Sequence, residues 1–453
     1  MQNLTGAAGA LYEEIRDLPI VSPHGHCDPE WFAADAAFPD PAALLVVPDH
    51  YVFRMLYSQG HALADLGVGA PGKQADPREV FRRFAKNWHL FLGTPSRFWM
   101  SYVLHETLDV AAPLSETTAD RIYDEVSEKL QLPNYRPRAL FERFGIEVLA
   151  TTDGALDDLV HHQKIKDSDW QGRVIPTFRP DSVLDPNDPQ FLANVEQLGV
   201  ISGEDVASFS GYLSALRKRR AFFRKMGATA TDHAIEVVHT VWLDDPEAVY
   251  QRLRSGTHAP EDHGAFYGHM LIEMAQMSVE DGLVMQIHGG SRRNTNPAVL
   301  AAFGRDKGAD IPVATDWVRG LEALLNRVGN TPDFTLILFT LDETTYAREL
   351  APMAGHWPCL RIGPPWWFHD SSAGIARYFD QVVETAGYFN LAGFNDDTRA
   401  FLSIPARHDL WRRGVAQHLS EQVSKGVFDL ADARMLAPLL ATDLARDSYR
   451  LSR

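Results

Sequence analysis

Cysteine is nearly absent from this chain of 453 residues: Cys27 and Cys359 are the only two. Two cysteines supply neither a disulfide framework nor a cysteine-based zinc module, and a reducing cytoplasm is the expected location. Basic residues are scarce as well, 43 Lys and Arg against 60 Asp and Glu, for a formal charge of -17. Nucleic acid and anionic lipid both demand clustered Lys and Arg, so neither partner is expected. No stretch approaches the roughly 20 apolar residues of a bilayer span; the longest strongly apolar run is around Phe334 to Leu341. The first twenty residues hold Glu13, Glu14, Arg16 and Asp17 and lack a basic start followed by an apolar run, so no signal peptide is expected. Internal repeats and low-complexity linkers are missing too. What remains is 45% hydrophobic and 23% charged, the composition of a soluble globular protein with a thick core. A single elaborated domain over residues 1–453 is expected. A homo-oligomer is compatible with the sequence, which does not fix the oligomeric state.

Eight β-branched or apolar runs end in polar residues, and helical patterning follows them. They are Leu18 to Val21, Glu147 to Thr151, Arg173 to Phe178, Ala228 to Thr231, Leu283 to His288, Thr335 to Thr340, Leu360 to Gly363 and Leu391 to Phe394. Strands alternating with helices predict an α/β fold, a closed (β/α)8 barrel of the TIM type, with a doubly wound open sheet as the alternative. From about 42 to 143 the pattern is mostly helical, broken by Pro71, Pro77, Pro95 and Pro133, and reads as a helical insertion after strand one. A helix over 268–279 carries Met270, Met274 and Met277 on one face, a core stripe, and Asp281-Gly282 supplies the turn after it.

The polar residues gather at the strand ends, where a barrel places its chemistry. His24 and His26 are two apart after the first strand, which aims both imidazoles to one side as a pincer for a divalent ion. Thr152 and Asp153 follow strand two, Arg179 strand three, and Asp232 with His233 strand four. His288 ends strand five with Arg293 beyond it, Trp366 and Trp367 follow strand seven, and Asp397 and Arg399 follow strand eight. In a closed barrel the first and last strands are neighbours, so Asp397 is placed to complete the ion's ligands. His288 could reach the same ion or bind substrate. No lysine ends strand four to bridge two metals, so one ion is expected, zinc first and manganese or cobalt next. Arg179, Arg293 and Arg399 around one mouth predict capture of a small, oxygen-rich anion. Phosphate is disfavoured, because no glycine-rich phosphate loop follows a strand. From the residues alone a metal-assisted hydrolysis and an enediolate isomerisation both remain open.

The ordered stretches His24-Gly25-His26, Asp49-His50-Tyr51 with Arg54, Thr151-Thr152-Asp153, Arg179-Pro180-Asp181, Asp232-His233, Gln286-Ile287-His288 with Arg293-Asn294, Trp366-Trp367-Phe368, and Asp397-Thr398-Arg399 followed by Arg407-His408 resemble the uronate isomerase family of the amidohydrolase superfamily. The match runs from about residue 10 to 415. The resemblance implies a metal-dependent barrel that interconverts D-glucuronate with D-fructuronate and D-galacturonate with D-tagaturonate. It implies one divalent ion, commonly zinc, held by His24, His26 and Asp397. Asp397 would also act as base at C2 of the open-chain sugar, and Tyr51 would deliver a proton at C1. Arg179, Asp232, Arg293, Arg399 and His50 would hold the hydroxyls and carboxylate, with a tryptophan of the Trp366-Trp367 pair lining the pocket.

Overall fold

The computed structural model describes residues 4–69, 75–308, 310–366 and 369–451. Its strands are β1 (Ile20–Ser22), β2 (Ile146–Ala150), β3 (Asp153–Gly154), β4 (Val174–Ile175), β5 (Phe178–Arg179), β6 (Ala230–Ile235), β7 (Val284–Gly289), β8 (Ser291–Arg292), β9 (Ile311–Pro312), β10 (Leu336–Thr340) and β11 (Leu360–Ile362). All pairings are parallel except a short antiparallel hairpin of β8 with β9. One sheet runs β1-β2-β4 and the other β11-β10-β7-β6-β5-β3. They share two passes of the chain, since β2 runs on into β3 and β4 into β5. Between those passes Leu149, Thr151, Asp153 and Ala155 donate in turn to the carbonyls of Arg173, Ile175, Thr177 and Arg179.

Parallel strands covered on both faces read as continuous apolar runs, and every residue of β7 and β10 is buried. Alternate residues divide between two layers. Val21, Val148, Ala150, Ile175, Ala230, Val284, Ile337, Phe339 and Ala392 pack into one inner cluster, while Met285, Ile287, Leu336 and Leu338 face the surrounding helices. The helix Pro260–Asp281 starts well before the expected span and ends close to it; Met270, Met274 and Met277 on it are core, and Gly282, at φ 81°, ends it in the left-handed turn that glycine favours.

Several expectations shift. The sixth β segment, Ala230–Ile235, reaches four residues further than its apolar run, so Asp232 and His233 lie inside it, not after it. Leu391 makes a single bridge to Ile362 in place of an eighth strand. The small strands β3, β8 and β9 give no signal in the sequence. Pro77 and Pro95, read as breaks, open helices behind the caps Asp76 and Thr94, because the first helical position needs no N–H. Pro133 opens a 3-10 turn, and Pro71 lies outside the described residues. Helix begins at Pro29–Ala34, earlier than residue 42, and continues through Pro137–Arg143 between β1 and β2 with its own hydrophobic cluster. Among the described residues no helix is long and apolar enough to cross a membrane.

Asp153 is buried at the start of β3, where its carboxylate accepts a 2.7 Å hydrogen bond from the Thr151 hydroxyl. Burial pushes its carboxyl up to about 7, and burial pulls nearby His162 down to about 4. A raised folded-state value favours the protonated form. The Asp153 contribution is therefore complete below the unfolded carboxyl range and is lost as pH rises through about 7. His162 acts in the opposite sense between its own folded and unfolded values, and comparison with a variant that keeps it cancels that slope. Chemical unfolding of wild type and Asp153→Asn at pH 5 and pH 7.5 should show the wild type losing more than about 1 kcal/mol relative to the variant. Parallel curves would contradict this placement of the carboxyl.

Candidate active site

β1 stops at Ser22, so His24 and His26 follow the strand in irregular chain and do not share a strand face. They converge nonetheless, edge to face with ring centroids 5.4 Å apart. Both reach Asp397, from the far end of the chain: His26 Nε2 is 3.1 Å and His24 Nε2 3.6 Å from Oδ1. The backbone fastens this junction, since the His26 N–H donates to the Thr398 carbonyl at 3.0 Å. Asp397 itself sits at φ 36°, in the left-handed region that costs a non-glycine residue about 1 kcal/mol and that aspartate tolerates better than most.

The electrostatics of this trio call for a cation. Burial pulls His24 down to about 4, so its ring is neutral near pH 7. Burial alone would raise Asp397, but the imidazoles of His24 and His26 override it and hold the carboxyl below the usual range. The result is an ionised carboxylate, 8% exposed, against neutral imidazole nitrogen. A buried charge of that kind needs a partner of opposite sign. The ligand atoms of His24, His26 and Asp397 lie within 4.8 Å of one another, the spread a single ion can draw together.

A second group adjoins the first. His288 stacks on His24 with centroids 4.8 Å apart, and its Nδ1 is 2.7 Å from Asp232 Oδ1. Strand alternation explains why Asp232 faces this group and His233 does not. His233 is fully buried with its Nε2 against the Thr231 hydroxyl, on the other face of β6. Burial opposes ionisation of Asp232, and His288 and Arg179 overcome it, holding the carboxyl well below its ordinary value. Arg179 is clamped, with Nε 2.8 Å from Asp181 and Nη1 3.4 Å from Asp232. Among the described residues, His288 Nε2 and His24 Nδ1 are buried without a hydrogen-bond partner. Two imidazoles with nitrogen unspent, beside an ionised carboxylate, are a donor set that a divalent ion satisfies.

Above these groups opens a cavity of about 490 Å³ lined by His26, His50, Tyr51, Arg179, His288, Arg293, Trp366, Asp397 and Arg399. His24 and Asp232 stand behind that lining. Tyr51 enters from the helix His50–Ser58, whose first turn is capped by the Asp49 carboxylate accepting from the Tyr51 N–H at 2.8 Å. Burial pushes the Tyr51 phenol well above its ordinary value and His50 well below. Trp366 meets His288 edge to face at 4.9 Å, and Trp367 lies outside the described residues. Thr152 and Asp153 stay out of the cavity; the Thr152 hydroxyl donates to the Gly25 carbonyl.

Several lining residues escape the sequence reading, Asp310 and Arg305 among them. Asp310, 17 positions after Arg293 in sequence, pairs with its Nε at 2.6 Å, and Arg305 joins the lining from the segment between them. Nothing in the local pattern marks either one. Asp181, two residues after Arg179, could have been read as its partner from spacing. Arg399 forms no ion pair among the described residues, which leaves its guanidinium open to an anion in the cavity.

The glucuronate isomerase family pattern matches residues 3–445. A curated uronate isomerase of Rhizorhabdus wittichii is 55% identical over 446 residues, covering 98% of this chain and 95% of the relative. The crystal structure of a glucuronate isomerase from Caulobacter crescentus superposes with a TM-score of 0.97 at 49% identity, covering 99% of this chain and 94% of that one. A uronate isomerase of Thermotoga maritima follows at TM-score 0.92 and 28% identity, covering 98% and 97%. With a pattern that spans nearly every residue and relatives matched along their whole lengths, this chain belongs to the glucuronate isomerase family.

Proposed function

We propose that this chain is a metal-dependent uronate isomerase, interconverting D-glucuronate with D-fructuronate and D-galacturonate with D-tagaturonate through an enediolate. The observation that carries the reading is the junction of His24, His26 and Asp397 at a cavity walled by a tyrosine and four arginines, in a member of this family. His24, His26 and Asp397 would hold one divalent ion, with zinc favoured by the imidazole and carboxylate donors. The scaffold we propose is a closed (β/α)8 barrel in one domain, with the helical stretch 42–143 inserted after strand one. Its closure is supported by the His26–Thr398 backbone bond and by Val21 and Ala392, from opposite ends of the strand order, packing in one cluster.

The net reaction moves one hydrogen from C2 to C1 and one from O2 to O1. A carboxylate held below its ordinary range is a weak base, so the C2 hydrogen must first be made acidic. When bound, the ion supplies Lewis-acid polarisation of the adjoining carbonyl. Asp397 takes the C2 hydrogen as a proton. Tyr51, whose burial keeps the phenol protonated throughout the neutral range, gives one to C1. Solvent carries the O2 proton to O1 at the enediolate stage and returns a proton from the Asp397 carboxyl to the Tyr51 phenolate before the next turnover. Arg399 takes the substrate carboxylate, while Arg179, Arg293 and His50 orient hydroxyls and Asp232, from behind the lining, orients Arg179. His288 is held by Asp232 with Nε2 toward the site, and Trp366 closes one wall against water.

Two outcomes follow. Asp397→Asn should lower kcat by more than about 1,000-fold and release the ion on dialysis, read by metal analysis and ketose formation; normal turnover would remove the assignment. Arg399→Lys should raise KM for D-glucuronate about 10- to 100-fold with a smaller loss in kcat, because a point charge replaces a bidentate fork. Arg293→Lys should raise it less, since Asp310 already occupies Nε of that arginine. An unchanged KM with a fallen kcat in Arg399→Lys would contradict carboxylate capture there.

A further inference from the structure

Behind Tyr51, away from the cavity, lies a buried arginine that the mechanism above leaves unused. Arg407, on the helix Ile404–Ser424, is 1% exposed. Its guanidinium carbon is 3.5 Å from the Trp99 ring centroid and 5.1 Å from that of Tyr51. Trp99 and Tyr51 in turn meet edge to face at 5.2 Å, so the three groups form one packed unit. Nε of Arg407 donates to the Ser403 hydroxyl at 3.1 Å and Nη1 to Asp370 at 2.9 Å. Nη2 is buried without a partner among the described residues.

A guanidinium is expensive to bury, and one placed only to tie loops together would spend all of its N–H groups. This one does not. Its carboxylate partner is a poor neutraliser as well: burial pushes Asp370 up to about 7 in spite of Arg407. Part of the positive charge is therefore left to act on the neighbouring aromatic face. Asp49, His50, Arg54, Asp370, Asp396, Asp397, Arg399, Cys27 and His408 are the other charged or titratable groups around Tyr51 and Arg407.

We propose that Arg407 is a positioning residue for Tyr51, fixing the ring between itself and Trp99 and supplying the positive charge against which the phenolate forms. The proposal rests on the donor role assigned to Tyr51 above. In that step the O2 oxyanion of the enediolate forms the C2 carbonyl while the electron pair of the C1–C2 double bond takes the phenolic proton to make the new C1–H bond, and the O–H bonding pair stays on the phenolate oxygen. Burial alone opposes a phenolate at this position, and the Arg407 guanidinium against the ring lowers its cost.

The test separates removal of the C2 proton from delivery at C1. Metal-loaded full-length enzyme is incubated with D-glucuronate in D2O, and two rates are read: ketose formation, and deuterium appearing at C2 of recovered uronate. Arg407→Met should slow ketose formation about 100-fold and C2 exchange by less than tenfold, so the ratio of exchange to turnover rises at least tenfold. Arg407→Lys should restore part of the turnover and shift the ratio about threefold, and it carries the test if the Met variant does not fold. A purely structural role would lower both rates together, and an unshifted ratio in the folded variants overturns the proposal. Tyr51→Phe distinguishes the two readings. Ketose formation at the wild-type rate in that variant removes the role of Tyr51 and with it this proposal, whereas an inactive Tyr51→Phe beside an unshifted Arg407 ratio overturns this proposal alone.

Discussion

The site depends on one buried charge. Asp397 is an ionised carboxylate set between imidazoles, one of which burial keeps neutral near pH 7, at the place where the first and last passes of the chain meet. Each part of that statement has a structural cost. The backbone accepts a left-handed conformation at residue 397, and the side chains of His24 and Asp397 are almost wholly withdrawn from water. A folded protein retains such an arrangement when something offsets it, and a divalent cation is the agent that the donors fit. The His26–Thr398 hydrogen bond makes the ligand set and the meeting of the two passes a single feature, so folding and the capacity to bind an ion are coupled.

The second constraint is charge balance around an anionic substrate in a chain of formal charge -17. The cavity lining does not simply oppose acid with base. Arg179 is held by Asp181 and Asp232, and Arg293 by Asp310, so these guanidiniums are oriented before substrate arrives and their net charge is largely spent. Arg399 keeps its charge free of any ion pair among the described residues. In the proposed mechanism that division gives orientation of hydroxyls to the paired Arg179 and Arg293 and electrostatic capture to Arg399. Tyr51 follows the same logic from the opposite side: its proton is secured by burial, and Arg407 stands behind the ring on which the proposed mechanism develops charge.

Much of the fold was legible in the sequence because parallel strands buried on both faces leave runs such as Thr335 to Thr340 that nothing else explains. Where the inward position is polar the signal fades. The run that opens β6 stops at Thr231, yet the strand goes on through Asp232 and His233, and only the pleat tells which of those two faces the site. Prolines misled for a related reason: Pro77 and Pro95 interrupt helical periodicity, but they do so as first residues of new helices. The gathering of His24, His26 and Asp397 could be anticipated from strand order, although irregular chain after β1 brings the histidines together and not a shared strand face. Asp310 and the Trp99–Arg407 pair could not be anticipated. Their partners lie far away in sequence or on other helices, and their surroundings carry no periodic mark.

The central claim concerns where the ion sits, and diffraction at the zinc absorption edge from zinc-loaded crystals tests it directly. The account predicts one anomalous peak bonded by a nitrogen of His24, a nitrogen of His26 and an oxygen of Asp397, each at about 2.0 to 2.2 Å. A peak held by other residues, or one to which Asp397 does not bind, would contradict it.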